Sequence, residues 1–176
     1  MTRKSKIKIS ARIRQARFGG SYASHVNQLN GTRTSVRDQI SRVIPMARAR
    51  KQADAKWTEE WRKTPGHEDG SFWLNEIPPS KDDPSYEAYI ASDAESERLE
   101  KALLAMPEHV LRKIQAVMYM GRDGDDYDGL LRHLADTPHD HRAESMAGKL
   151  PLDEYLEKGL QLANDRGLNL DAELTE

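Results

Sequence analysis

The chain has 176 residues, 32% of them charged and 37% hydrophobic, with a mean hydropathy of -0.83; that suits one domain with polar extensions. It contains no cysteine, which excludes disulfides, thiolate metal sites and a cysteine nucleophile. No apolar run approaches the ~18 residues of a membrane helix, and no apolar stretch follows the basic start as a secretory signal requires, so a cytoplasmic protein without membrane attachment is expected.

The net charge of -2 hides an asymmetry. Residues 1–51 hold thirteen Lys/Arg and one acid, Asp38, for a net of +12, which leaves the remainder at -14. Such a division points to a polyanion-binding arm on an acidic body. The competing account is an arm neutralised by its own body.

In residues 6–14, Ile7, Ile9, Ala11 and Ile13 alternate with Lys6, Lys8, Ser10, Arg12 and Arg14. A period of two predicts a strand with one apolar and one basic face. Gly19-Gly20 breaks the pattern, and Tyr22, Val26 and Leu29 suit a short helix ending near Asn30-Gly31. Thr34 or Ser35 is placed to cap the next helix, faced by Val36, Ile40, Val43, Ile44 and Ala47. Pro45 falls inside it and predicts a kink or boundary near Val43. The pattern resumes with Trp57 and Trp61, four residues apart.

Pro65-Gly66 and Pro78-Pro79 mark residues 64–83 as a linker. Within it Phe72, Trp73 and Leu74 form an isolated apolar triplet, read as a hook onto the helical core or as a partner-docking motif. Pro84 opens a helical stretch with Tyr86, Tyr89 and Ile90, and the capping-box spacing of Ser92 and Glu95 predicts a second helix start there. The strongest element runs from Pro107 to Gly121. Val110, Leu111, Ile114, Val117 and Met118 share one face, Arg112 and Lys113 are expected to point away from it, and Gly121 is expected as the left-handed C-cap. Asp125 or Asp126 is placed to cap a helix through Tyr127, Leu130, Leu131 and Leu134. A short helix carries Ala143, Met146 and Ala147, and a longer one carries Leu152, Leu156, Leu160 and Ala163 and closes at Gly167. The acidic end is expected to fray.

The expected organisation is therefore mainly α, a small helical bundle with a basic N-terminal arm that holds a single strand. Residues 1–34 are the arm, 35–63 a helix that packs on the bundle, 64–83 the linker, 84–167 the bundle and 168–176 an acidic tail.

The stretches Ala116-Val117-Met118-Tyr119-Met120-Gly121-Arg122-Asp123 and Gly148-Lys149-Leu150-Pro151-Leu152-Asp153-Glu154-Tyr155-Leu156-Glu157-Lys158-Gly159-Leu160 resemble a bacterial domain family of unknown function. The resemblance spans Leu99–Leu160 and, more weakly, Val36–Arg50, which ends in the Ala47-Arg48 pair. The family's usual Gly-Arg-Gly-Asp is here Gly121-Arg122-Asp123-Gly124. The resemblance implies an all-helical domain and brings no activity with it.

Motifs with chemistry are few. Asp123, Asp125, Asp126 and Asp128 lack the ligand spacing of a calcium loop, because Tyr127 and Asp128 occupy the wrong slots; a capping turn is expected. His133, His139 and His141, near Asp136 and Asp140, lack structural-zinc spacing and read as solvated loop histidines. No nucleophile elbow or phosphate loop is present. No catalytic residue, metal ligand or cofactor is nominated. The best functional signal is the basic segment. Its strand with following helices vaguely resembles a ribbon-helix-helix module, in which Ile7, Ile9 and Ile13 would face the helices. The expectation is a non-enzymatic protein that contacts DNA or RNA through Lys4, Lys6, Lys8, Arg12, Arg14 and Arg17. The alternatives are a protein-interaction or inhibitor module using the acidic helices and, more weakly, an enzyme with an unrecognised site. Oligomeric state is not legible.

Overall fold

The computed structural model describes residues 35–64 and 79–172, all within the unit Arg33–Glu176. The predicted strand, the basic segment and the Phe72–Leu74 triplet lie outside the described residues. Among those described, about 75% are helical and no strand occurs. The six helices are α1 (Val36–Lys63), α2 (Tyr86–Leu104), α3 (Glu108–Asp123), α4 (Tyr127–His133), α5 (His139–Ala147) and α6 (Leu152–Asp165). They form a small all-α bundle.

Helix α1 begins at Ser35, whose backbone is extended and whose hydroxyl accepts the Asp38 N–H in ordinary N-cap geometry. It then runs unbroken for 28 residues with Pro45 inside it, so the boundary expected near Val43 does not occur. Pro45 and Ser41 are both exposed. The Ser41 carbonyl, which loses its intrahelical partner to the proline ring, is therefore on a side that water reaches. Val36, Ile40, Val43 and Ala47 bury the opposite face, and α1 packs on α2 and α6. At its far end Trp57 makes edge-on contacts with Trp61 and with Tyr89 of α2, ring centroids 6.4 and 5.3 Å apart.

Helix α2 is also continuous. Ser92, expected to start a new helix, sits in its interior and is buried, as are Ala88, Leu99 and Leu103. A capping box needs an extended backbone at its serine. Here the buried positions on both sides of Ser92 continue one helical face, and packing overrides the local signal.

Helix α3 is the hub. It packs on α6, α4, α5 and α1. Leu111, Ile114, Ala116, Val117, Met118 and Met120 are wholly shielded from solvent, so burial extends well beyond one apolar stripe. Two expectations fail here. Gly121 is not the C-cap; α3 continues to Asp123, and Gly124, with φ 81°, caps it through an N–H donated to the Met120 carbonyl. Lys113 does not point away; it is buried and donates from Nζ to the Ala172 carbonyl at 2.6 Å.

Gly121 has a different use. A methyl group there would lie 2.7 Å from the Gly159 nitrogen and closer still to the Tyr155 carbonyl oxygen. One on Gly159 would lie 2.8 Å from Val117 Cγ1 and closer still to its carbonyl oxygen. Helices α3 and α6 thus cross backbone to backbone, through two glycines that leave no room for a side chain.

The acidic turn after α3 works as a cap: Asp126 accepts the Gly129 N–H at 2.8 Å and opens α4. After α6, Gly167 takes a left-handed φ of 64°. The segment beyond it does not fray as far as Ala172. Leu170 is buried, Asp171 accepts the Val36 N–H at 2.6 Å, and Arg37 donates to Asn164 and to the Leu168 carbonyl. The end of the body therefore clasps the first turn of α1.

Candidate functional site

None of the residues singled out by sequence for partner contact, Lys4, Lys6, Lys8, Arg12, Arg14, Arg17, Phe72, Trp73 and Leu74, lies among the described residues. What the structure does define is the charge arrangement of the described body. Residues 1–34 carry eight Lys/Arg and no acid. The other five basic residues of the sequence's basic half, Arg37, Arg42, Arg48, Arg50 and Lys51, lie on α1. Arg48 Nη2 meets Glu157 Oε1 at 2.5 Å, and its Nε lies 3.6 Å from Asp153 Oδ2. Lys51 is paired with Glu154 and lies 3.9 Å from Asp153. The hydrogen bond to Glu154 holds the Lys51 pKa above its ordinary value. The basic face of α1 is thus a clasp onto the acidic start of α6. Arg50 donates to Ser96 on α2 at 3.0 Å; burial lowers its pKa, and Asp54 partly offsets that.

The described body also carries an open cavity of about 410 Å³. It lies between the last turns of α3 and the α4–α5 hairpin. Gln115, Tyr119 and Arg122 come from α3, His133 and Leu134 from the end of α4, Thr137 from the turn, and His141 and Ser145 from α5. On one side the Arg122 guanidinium stacks on the Tyr119 ring, 4.5 Å from its centroid, and is bound in a fork by Asp123. The hydrogen bond between Arg122 and Asp123 raises the pKa of the first and lowers that of the second.

Behind the cavity lies Arg142, a guanidinium with no exposed surface. Its Nε donates to Gln115 Oε1 at 2.9 Å, and its Nη2 donates to the carbonyls of Leu134 and Thr137 at 2.7 and 2.8 Å. Among the described residues Nη1 has no hydrogen-bond partner, and the carboxylate it approaches is that of Glu108, at 4.0 Å on the surface. Burial lowers the Arg142 pKa, and Glu108 partly opposes this. Arginine nevertheless stays charged in such settings. One buried cation therefore pins three residues of the cavity wall.

The three histidines separate. His139 Nε2 lies 3.2 Å from the Leu104 carbonyl and takes no part in the cavity, while His133 and His141 both line it. Among the described residues no group of three His, Asp or Glu is arranged to hold a metal ion. No described helix is long and apolar enough to cross a membrane. Sequence reasoning missed Gln115 and Arg142. The available signal was their spacing: Gln115 follows Leu111 by four residues and Arg142 precedes Met146 by four, so each polar residue shares a face with a buried apolar one.

Comparison with family models, curated proteins and solved structures finds no match for the chain.

Proposed function

We propose that the protein is a non-enzymatic nucleic-acid-associated protein that contacts DNA or RNA through residues 3–17, mainly by charge. The observation that carries this reading is the run of eight Lys/Arg without an acid in residues 1–34. It is supported by the engagement of Glu157 and Glu154 of α6 with Arg48 and Lys51, which leaves those carboxylates less free to neutralise other cations. The contacts assigned are Lys4, Lys6, Lys8, Arg12, Arg14 and Arg17.

Phosphate contacts release counterions, so the logarithm of affinity falls linearly with the logarithm of salt concentration, by about 0.9 per contact on duplex DNA. Some ~4–6 contacts give a slope of about -4 to -5. Fluorescence anisotropy on labelled duplex and single-stranded probes should show this slope. Arg12→Glu with Arg14→Glu should flatten it. Sequence-indifferent binding at ~10⁻⁴–10⁻⁶ M is expected of a charge-driven contact. Absence of binding at ~50 mM salt, where screening is weak, would sink the proposal and leave self-neutralisation as the account of the charges.

A further inference from the structure

We infer that the cavity between α3 and the α4–α5 hairpin is a binding site for a small carboxylate anion, with the Gln115 amide as its central donor. This inference is independent of the nucleic-acid reading.

The orientation of Gln115 carries the argument. Its side chain is 2% exposed, lies in the cavity wall and makes one hydrogen bond, to Arg142. Arginine has no acceptor, so the amide oxygen must face the guanidinium. That fixes the other end: Nε2, an N–H₂ donor, is bonded to no described residue. The two neighbouring wall residues are polarised in the same sense. Arg142 draws on the Leu134 and Thr137 carbonyls as well, so three acceptors of the cavity wall are turned inward onto one cation. What is left for the cavity is one fixed donor, Gln115 Nε2, beside groups that can each present an O–H or N–H to a ligand: the Thr137 and Ser145 hydroxyls and the imidazoles of His133 and His141.

A wall whose fixed group is a buried donor, with neighbours able to donate beside it, suits a ligand with acceptor oxygens. Charge then favours an anion over a neutral acceptor. Among the described residues the buried Arg142 is balanced by no carboxylate closer than 4.0 Å, and its field acts at short range through a medium of low dielectric. Of the two acids at the cavity, Asp123 is already tied to Arg122, and Asp125 is exposed. Leu130 and Leu134 supply an apolar wall beside the donors, as small-ligand sites commonly do. The volume falls at the small end of the usual ligand range of roughly 300–1,000 Å³, which suits a compact carboxylate.

The test is an NMR titration of full-length ¹⁵N-labelled protein with benzoate, succinate and the neutral match benzamide. The expected result is saturable shifts of the Gln115 side-chain amide and of the Thr137, His141 and Ser145 backbone amides with at least one carboxylate, and binding of benzamide about tenfold weaker or worse than benzoate. The discriminating variant is Gln115→Glu. It keeps an oxygen for Arg142, and so keeps the fold, but replaces the Nε2 donor with a carboxylate oxygen. It should melt at or above the wild-type temperature and lose carboxylate affinity by about tenfold or more, the scale of one hydrogen bond to a charged acceptor. No saturable shift with either carboxylate, equal binding of benzoate and benzamide, or undiminished carboxylate binding by Gln115→Glu would each overturn the inference.

Discussion

Gly121→Ala is the sharpest probe of the helix crossing, because two well-measured effects predict opposite signs. Replacing glycine by alanine inside an ordinary helix stabilises it by about 0.8–1 kcal/mol. At Gly121 the new methyl would sit 2.7 Å from the Gly159 nitrogen, with the Tyr155 carbonyl oxygen nearer still. Both obstacles are backbone, so no rotamer change relieves the clash. The crossing must open by more than ~1 Å, and a gap of ~0.5–1 Å already forfeits a quarter to a half of each dispersion contact across it. Overpacking of a tight core costs about 1–3 kcal/mol and sometimes more. The whole α3–α6 seam is affected here, including Val117, Leu152 and Leu156, all fully buried. With the whole seam opened, the cost falls at or beyond the top of that range, at about 3–5 kcal/mol, so a net loss of about 2–4 kcal/mol is expected once the helix-propensity gain of about 1 kcal/mol is set against it. With a urea slope of about 1–3 kcal/mol/M, the unfolding midpoint should fall by roughly 1–2 M. Gly124→Ala is the internal comparison. Its neighbourhood is empty and only its φ of 81° resists a side chain, so its cost should be about 1–2 kcal/mol and Gly124→Asn should recover much of it. A Gly121→Ala protein as stable as wild type would refute the backbone crossing and place the glycine in a looser contact.

Arg142→Ala should cost about 3–5 kcal/mol in urea unfolding, because Gln115 Oε1 and two carbonyls lose a charged donor at once; a change under 1 kcal/mol would mean water replaces it. Asp171→Ala should lose about 1 kcal/mol and speed hydrogen exchange of the first α1 amides, since it removes the acceptor of the Val36 N–H; unchanged exchange there would dismiss the clasp. Ile114→Ala should cost about 2–5 kcal/mol by opening a cavity in the core, and Lys113→Ala about 1.5–3 kcal/mol through its bond to Ala172; a neutral Lys113→Ala would restore the surface reading of that residue. Burial raises the Asp54 pKa despite Arg50 nearby. A carboxyl with a raised folded pKa favours the folded state at low pH, and that contribution fades as pH climbs from the ordinary value of 3.8 through the raised one. The stability of Asp54→Asn relative to wild type should therefore rise across that window, and a pH-independent difference would show the carboxyl to be solvated.

The helices were legible from periodicity because each buries a stripe with helical spacing. Met118 and Ile114 are as deep as their spacing implies, and the caps at Ser35 and Asp126 follow from local hydrogen bonding that a short window of sequence contains. What was not legible depends on partners far along the chain. Gly121 looked like a stop because glycine near the end of an apolar pattern usually is one. Its actual constraint comes from Tyr155 and Gly159 on another helix. Lys113 looked solvated because lysine rarely finds a buried acceptor. Here the Ala172 carbonyl, 59 residues on, supplies one. The cavity was illegible for the same reason. Its histidines were visible as a cluster, but the residue that orients its wall, Arg142, reads as one more charge on a polar helix. Only its contact with Gln115, 27 residues earlier, shows that the charge is inside.

The charge asymmetry also divides differently once α1 is placed. Sequence alone counts Arg37, Arg48, Arg50 and Lys51 with the basic arm, yet all four are engaged within the body: Arg37 with the segment after α6, Arg48 and Lys51 with the acids of α6, and Arg50 with Ser96. Exposed pairs of this kind contribute little to stability, typically 0–1 kcal/mol. Their larger consequence is electrostatic, since they cancel Asp153, Glu154 and Glu157 locally. On the proposed reading, a polyanion would have to outcompete the body's carboxylates for the eight cations of residues 1–34. Duplex DNA offers one charge per about 1.7 Å of axis, whereas body carboxylates are dispersed and several already have partners. Raising salt would weaken either contact, but releasing condensed counterions is an entropy gain that only a polyanion provides. Double substitution of Arg48 and Lys51 by alanine should therefore leave the N-terminal cations intact while freeing three carboxylates, and nucleic-acid affinity should drop severalfold without a change in salt slope. An unchanged affinity would show that the body's acids do not compete for that segment at all.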